Sequence, residues 1–290
     1  MKYAYFPGCV ISQRENSFEL SARKVISKLD IELIDLEGAS CCGFLLGAID
    51  HLSSTVMAAR NLTLAEEKGY NMLTLCPACS GHFTRVEREL QKDSKLLNEV
   101  NSALGEVNRK YKGSSEVKHI TKIFIEDIGV EKLRATVIKP LKQLRVAPHW
   151  GCHIVKPSEE ILFDNPENTR LLDSLIEATG AECVNYLEKN TCCGAPTMGV
   201  DENLAIRVVR ENLKSIEEAG ADLIVTVCPF CHLHYDLYRG RIEEQYSEKY
   251  EMPVLHYTQL LGLAQGFDPD ELGLYENRVS VDDVLEKIST

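Results

Sequence analysis

The sequence predicts an α/β protein built as a tandem duplication of one parallel-sheet domain, and three observations carry that expectation. Ten of the eleven cysteines fall into two sets of five with nearly the same internal spacing. Each set lies among the same run of helix-like and strand-like segments, and the strand before the last cysteine pair, Met72 to Leu75 or Leu223 to Val227, is continuous rather than alternating in hydrophobicity, as in a parallel sheet covered by helices on both faces. The length of 290 residues divides into roughly two domains of about 150, with the boundary expected near Pro140, giving domains over 1–140 and 141–290.

Cys9 is followed by thirty-one residues, then Cys41-Cys42-Gly43, then thirty-two more, then Cys76-Pro77-Ala78-Cys79. The second set runs Cys152, thirty-nine residues, Cys192-Cys193-Gly194, and Cys228-Pro229-Phe230-Cys231. Equivalent positions are offset by 143, 151 and 152 residues, so the second copy carries eight extra residues early and one later, as loop insertions. Phe18 to Leu29 reads as a helix and Ile31 to Leu36 as a strand, matched by Arg170 to Ala178 and Glu182 to Tyr186. After each Cys-Cys-Gly comes a helical stretch, Ala58 to Gly69 or Ala205 to Gly220, ending on a glycine suited to a left-handed cap. Each feeds a strand, Met72 to Leu75 or Leu223 to Val227. Cys9, Cys76, Cys152 and Cys228 all follow strand-like segments, where open α/β sheets build their sites. The Lys- and Glu-rich stretch from Leu90 to Lys142, with Lys118 to Leu133 helical, is expected to complete the first domain. Arg239 to Glu244 reads as a solvated charged face. Val254 to Ala264 reads as a strand end running into an apolar helix that closes the second domain or faces a partner.

With 44 acidic and 32 basic residues the net charge is -12, which argues against nucleic acid as a partner. The first residues lack a basic region and an apolar run, so no export signal is expected, and no stretch approaches 18 apolar residues, so no membrane span is expected. A cytoplasmic, reducing location follows as the expectation. There, clustered cysteines point to thiolate chemistry or metal ligation rather than disulfides.

Ligand number separates the readings. Structural zinc takes four ligands and would leave one cysteine over in each copy. Adjacent cysteines such as Cys41 and Cys42 do not bridge without strain. A redox pair explains Cys76/Cys79 and Cys228/Cys231 and leaves six repeated cysteines idle. Iron with sulfide suits soft thiolates, and an iron in a cluster can take more than one thiolate. Gly43 and Gly194 let the backbone approach such a core, and Pro77 and Pro229 are expected to stiffen the loops between the last two ligands. Cys183, outside both sets, reads as a core thiol.

These motifs, with Tyr5-Phe6-Pro7-Gly8-Cys9, Gly151-Cys152-His153 and Thr191-Cys192-Cys193-Gly194-Ala195-Pro196, resemble the B-type subunits of heterodisulfide reductase, a family of cysteine-rich CCG-domain proteins, over nearly the whole chain. The resemblance implies two Rossmann-like domains, each holding one noncubane [4Fe-4S] cluster. Its five cysteines would be Cys9, Cys41, Cys42, Cys76 and Cys79 in one, and Cys152, Cys192, Cys193, Cys228 and Cys231 in the other. It further implies two-electron reduction of the coenzyme M–coenzyme B heterodisulfide, which belongs to methanogenesis. The disulfide would lie between the halves. Electrons would come from the ferredoxin-like C-type subunit and the flavin-containing A-type subunit of heterodisulfide reductase, with a hydrogenase or formate dehydrogenase behind them.

Thiol release consumes protons, and His153 and His232, beside ligand cysteines, are the candidate catalytic donors; His82, His149 and His234 stand further off. Lys24, Arg14, Arg85, Lys156 and Arg207 are candidates for lining the anionic ends of the substrate. Two other readings stay open: an iron–sulfur subunit of a related glycolate or lactate, thiol:fumarate or succinate:quinone oxidoreductase, and a noncatalytic zinc-binding protein.

Overall fold

The computed structural model describes residues 1–289 and contains two four-stranded sheets with every strand parallel. The first comprises β1 (Lys2–Phe6), β2 (Glu32–Asp35), β3 (Met72–Thr74) and β4 (Val117–His119) in the order β2-β1-β3-β4. The second comprises β5 (Arg145–His149), β6 (Glu182–Cys183), β7 (Leu223–Thr226) and β8 (Val254–His256) in the order β6-β5-β7-β8. The identical orders give two Rossmann-like parallel-sheet units, as the register of the cysteines predicts. In each, the chain leaves the first strand to one side, then returns to lay the third strand on the other. The crevice at that reversal is where an open sheet exposes a site. Cys9 and Cys76 follow β1 and β3, and Cys152 and Cys228 follow β5 and β7.

Crossover helices begin and end on the same chemistry in both units. Helix His51–Lys68 starts at Asp50, whose carboxylate accepts the Ser53 N–H at 3.0 Å, and helix Glu202–Glu218 starts at Asp201, which accepts from Leu204 at 2.9 Å. Gly69 and Gly220 both take positive φ just past these helices, at 73° and 67°. Pro77 and Pro229 differ from expectation. Neither sits in a loop, since each is the first residue of a helix, Pro77–Lys92 and Pro229–Asp236, where a missing N–H costs nothing.

Three further segments depart from the sequence reading. The stretch beginning at Lys118 opens on β4 before turning helical at Ile120, because His119 caps the turn by accepting the Thr121 N–H at 3.2 Å. The charged run at Arg239 is only partly solvated. Arg239 is 2% exposed and its guanidinium donates to the carbonyls of Tyr235 and Tyr250 at 3.0 and 2.6 Å, filling the space past a helix end with a cation. Helix Tyr257–Ala264 is buried along its length and packs on helix Asn16–Ile26 of the first half, with the Ser21 and Thr258 hydroxyls 2.7 Å apart. Its apolar face is thus covered from within the chain. One core runs through both halves, joining Phe18, Phe83 and Phe124 to Leu175, Tyr257 and Leu272.

Candidate functional site

All eleven cysteines are free thiols. In the first half, Cys9, Cys41, Cys42, Cys76 and Cys79 line one small pocket. In the second, Cys152, Cys193, Cys228 and Cys231 line another, and Cys192 stands beside it, hydrogen-bonded with Cys152 and Cys193. Phe44, Leu45, Ala78 and Phe230 line both pockets, so each half contributes a phenylalanine to the shared wall. A wider cleft, at Arg239, Glu243, Lys249 and Arg278, contains no cysteine and is an open surface feature.

The Cys-Cys-Gly turns are held by equivalent residues. Gly43 and Gly194 adopt φ of 89° and 85°, and a Cβ there would lie 2.8 Å from the Ser54 carbonyl or 3.0 Å from that of Ala205. Glycine is therefore required twice over, by torsion and by contact. Asn61 donates to the Cys41 carbonyl and Asn212 to the Cys192 carbonyl, both at 3.1 Å. The side-chain oxygen of Asn61 takes the Ser40 N–H at 2.9 Å, and that of Asn212 takes the Thr191 hydroxyl at 3.0 Å. These asparagines escape a search for cysteines and histidines. Their signal is the shared offset of 151 residues, the same as that of the Cys-Cys-Gly.

The thiols share hydrogens. Hydrogen bonds from Cys41 and then Cys79 pull Cys42 down to about 3, while the same contact pushes Cys41 up. In the second half Cys192 is pulled down to about 2 by Cys152 and then Cys193. The N–H groups of Gly43 and Gly194 donate to Cys41 and Cys192 Sγ at 3.5 and 3.3 Å. Cys76 and Cys228 sit at helix N-termini, where backbone N–H groups favour negative sulfur.

This donor set fits an iron–sulfur group: soft sulfur on opposing loops, N–H groups aimed at it and apolar walls. Two groups of side chains could each hold a metal. His149, Cys193 and Cys231 form one, with every ligand atom within 4.8 Å of the others, and the buried His149 Nε2 lacks a hydrogen-bond partner. Glu15, His232 and His256 form the other, without a cysteine.

The candidate histidines separate. His153 lines the second pocket, with its ring edge-on to Phe44 at 4.7 Å and its carbonyl 2.6 Å from where a Cβ on Gly81 would stand. His232 is not among the residues lining either pocket. Its ring faces Glu15 Oε2 at 2.9 Å and the Val254 carbonyl at 3.1 Å and stacks on His256, whose Nε2 also meets Glu15 Oε2 at 2.9 Å. Glu15 belongs to the first half, so this buried triad ties the halves together. His82 and His234, at equivalent positions, bond Ser54 Oγ at 3.1 Å and the Cys193 carbonyl at 2.7 Å. Cys183 lies on β6 with its thiol 3.7 Å from the Asp173 carbonyl, apart from both sets. Among the basic candidates, Arg85 pairs with Glu160 at 2.9 Å and Lys24 with Glu271 at 2.7 Å, while Arg14 and Arg207 point to solvent. Lys156 lies near Cys152, 4.0 Å from Glu167.

The cysteine-rich domain family known as CCG matches residues 3–84 and 146–236. The B-type subunit of the ferredoxin/F420H2-dependent CoB-CoM heterodisulfide reductase of Methanosarcina acetivorans is 39% identical, over 99% of this chain and 97% of that protein. The 8-methylmenaquinol:fumarate reductase membrane anchor subunit of Wolinella succinogenes is 34% identical, over 95% of this chain and 96% of that one. Among the described residues no helix is long and apolar enough to cross a membrane. A crystal structure of a hypothetical protein from Helicobacter pylori superposes with a TM-score of 0.79 at 17% identity, covering 97% of this chain and 52% of that one, a likeness of fold. The chain belongs to the family of heterodisulfide reductase B-type subunits, CCG-domain iron–sulfur oxidoreductases.

Proposed function

We propose that the chain is the catalytic subunit that reduces the coenzyme M–coenzyme B heterodisulfide to its two thiols. The observation that carries this reading is the pair of cysteine pockets meeting at Phe44 and Phe230. A disulfide presents two adjacent sulfurs to two sites, and an apolar seam excludes water from the bond between them.

Two noncubane [4Fe-4S] clusters, on Cys9, Cys41, Cys42, Cys76 and Cys79 and on Cys152, Cys192, Cys193, Cys228 and Cys231, would supply the electrons and soft iron for sulfur. The chain's own residues do the rest. Gly43 and Gly194, held by Asn61 and Asn212, fix the paired cysteines. Phe44 and Phe230 orient the disulfide, and His153, at the pocket wall, holds one of the two protons consumed with two electrons as the S–S bond gives two S–H groups. His232, tied to Glu15, acts through the position of Cys231 rather than on substrate. The partners on this reading are a ferredoxin-like C-type subunit and a flavin-containing A-type subunit, the latter joined to a hydrogenase or formate dehydrogenase, in the cytoplasm. The division at Pro140 is proposed with it.

Electron paramagnetic resonance of anaerobically purified protein tests this. Iron near eight per chain and a signal that changes with coenzyme M or the heterodisulfide support the reading, whereas zinc in place of iron, or an indifferent signal, refutes it. His153→Gln lowers disulfide reduction by about 10²-fold without loss of iron. The similarity to a menaquinol:fumarate reductase subunit favours a second reading, an iron–sulfur subunit in a quinone-linked enzyme. Oxidation of the reduced protein by a menaquinone analogue, with no response to the heterodisulfide, would select it.

A further inference from the structure

Two buried rings meet at the same place in each half, and they differ in chemistry. In the first half Phe6 and Phe83, both 0% exposed, pack edge-on with ring centroids 5.0 Å apart and an interplanar angle of 89°. In the second half the corresponding pair is His149 and Tyr235, also 0% exposed, at 4.8 Å and 75°. The first members are offset by 143 residues, as are the first cysteines, and the second members by 152, as are the last cysteine pairs. The frame is retained while a hydrocarbon pair is exchanged for an imidazole and a phenol.

The exchange changes what stands beside sulfur. A ring nitrogen of His149, Cys193 Sγ and Cys231 Sγ all lie within 4.8 Å of one another. Burial lowers His149 to about 4, so its ring is neutral and carries one N–H. The neighbouring hydroxyls decide which nitrogen holds it. Asn212, which holds the Cys192 carbonyl, also donates to the Tyr235 hydroxyl at 2.9 Å, and that hydroxyl lies 3.2 Å from His149 Nδ1. Tyr186 gives its hydrogen to the Pro148 carbonyl at 2.9 Å. Tyr235 therefore donates to Nδ1, and the imidazole hydrogen stands on Nε2, which has no hydrogen-bond partner in the protein. Native proteins rarely leave such a donor buried without an acceptor. In the first half the matching Asn61 gives its other amide hydrogen to the Met57 carbonyl of its own helix, at 3.0 Å. His234 does not duplicate the donor, because its hydrogen is spent on the Cys193 carbonyl.

We propose that His149 donates its Nε2–H to sulfur of the cluster held by Cys152, Cys192, Cys193, Cys228 and Cys231, and so sets that cluster at a higher reduction potential than the one held in the first half. The inference rests on the two clusters of the function proposed above and deepens it by giving them an order. An added electron places negative charge on sulfur, and an N–H beside it stabilises the reduced form, one of the means by which proteins set cluster potentials. Phe6, in the equivalent place, has no such hydrogen to give. Electrons reaching the chain therefore fill the second half before the first. His149 and Tyr235 are positioning residues in this scheme, and neither touches the substrate.

The test is a potentiometric titration of the full chain, purified anaerobically with its iron content verified and followed by electron paramagnetic resonance. Two waves are expected. His149→Phe, which installs the first half's ring, should change the equilibrium of the higher wave about tenfold towards the oxidised form, a fall of about 59 mV for one electron, and leave the lower wave in place. His149→Gln, whose amide also donates, should keep part of the difference. Tyr235→Phe leaves the imidazole in place and frees Nδ1 to take the hydrogen, so the same wave should change about threefold. With histidine labelled by nitrogen-15, pulsed resonance should show a weak nitrogen coupling that His149→Phe abolishes. If His149→Phe loses iron, the shift is read on His149→Gln and Tyr235→Phe. A single wave, a shift of both waves alike or of neither, or a strong coupling typical of an iron-bound imidazole overturns the donor role, while reduction of the heterodisulfide still upholds the function. A protein that holds no iron and reduces no heterodisulfide overturns both.

Discussion

Replacing Glu15 with glutamine should loosen the joint between the two halves, and the structure sets the size of the effect. Glu15 is 3% exposed, and one carboxylate oxygen meets both His232 Nδ1 and His256 Nε2 at 2.9 Å. His232 Nε2 lies 3.1 Å from the Val254 carbonyl, so both of its nitrogens face oxygen, and Glu15 favours the charged form of the ring. Although burial disfavours charge on this carboxyl, hydrogen bonds from His232 and His256 bring it down to about 2. Removing one partner from a buried pair costs about 3–5 kcal/mol, because the other charge stays behind. For a chain of this size that lowers Tm by about 5–8 °C. The sign with pH follows from the same directions. The Glu15 contribution is complete above its ordinary value of 4.5 and is lost as pH falls towards 2. His232, where burial opposes and Glu15 more than offsets, is raised, so its contribution is present below 6.5 and lost as pH rises through the raised value. Scanning calorimetry of the anaerobic holoprotein with Glu15→Gln, His256→Ala and the double variant reads this directly. A Tm change below about 2 °C, or singles that simply add, would refute a coupled triad.

Gly43→Ala should cost about 3 kcal/mol, from the left-handed torsion plus a Cβ 2.8 Å from backbone oxygen, whereas Gly38→Ala, at φ 75° in open space, should cost about 1 kcal/mol; urea unfolding measures both. Asn61→Ala and Asn212→Ala each strand buried polar groups at a Cys-Cys-Gly turn, a loss of about 1–3 kcal/mol, and should speed iron release to a chelator; unchanged release rates would remove the asparagines from that role. Burial lowers His119 to about 4, so the folded state refuses a proton that the unfolded chain accepts near 6.5. Stability should therefore fall by about 3 kcal/mol between pH 6.5 and pH 4, and His119→Asn should flatten that slope in urea titrations at fixed pH.

The duplication was legible because ligand spacing and strand ends repeat together, and both sheets have the same order for that reason. The short β4 was not, since three residues with a lysine in the middle carry no apolar run. Arg239 looked solvated because sequence does not show which carbonyls a helix leaves open nearby. His153 and His232 had the same standing in the sequence, each next to a repeated cysteine. Only packing distinguishes them, one on the pocket wall and the other turned to Glu15. Glu15 itself offered no signal, because its partners are 217 and 241 residues away in the chain.

The position equivalent to Glu15 in the second half, by the offset of the first cysteines, is Ser158, and that equivalent to His232 in the first half is Ser80. The tie therefore exists once, in one direction. A pair of identical subunits would have to form any such contact twice and tolerate each of its side chains at both places. Fusion of the copies into one polypeptide frees them from that symmetry: a carboxylate can be placed in one copy and its imidazoles in the other, and the two cysteine pockets can become chemically unlike while their frames remain the same.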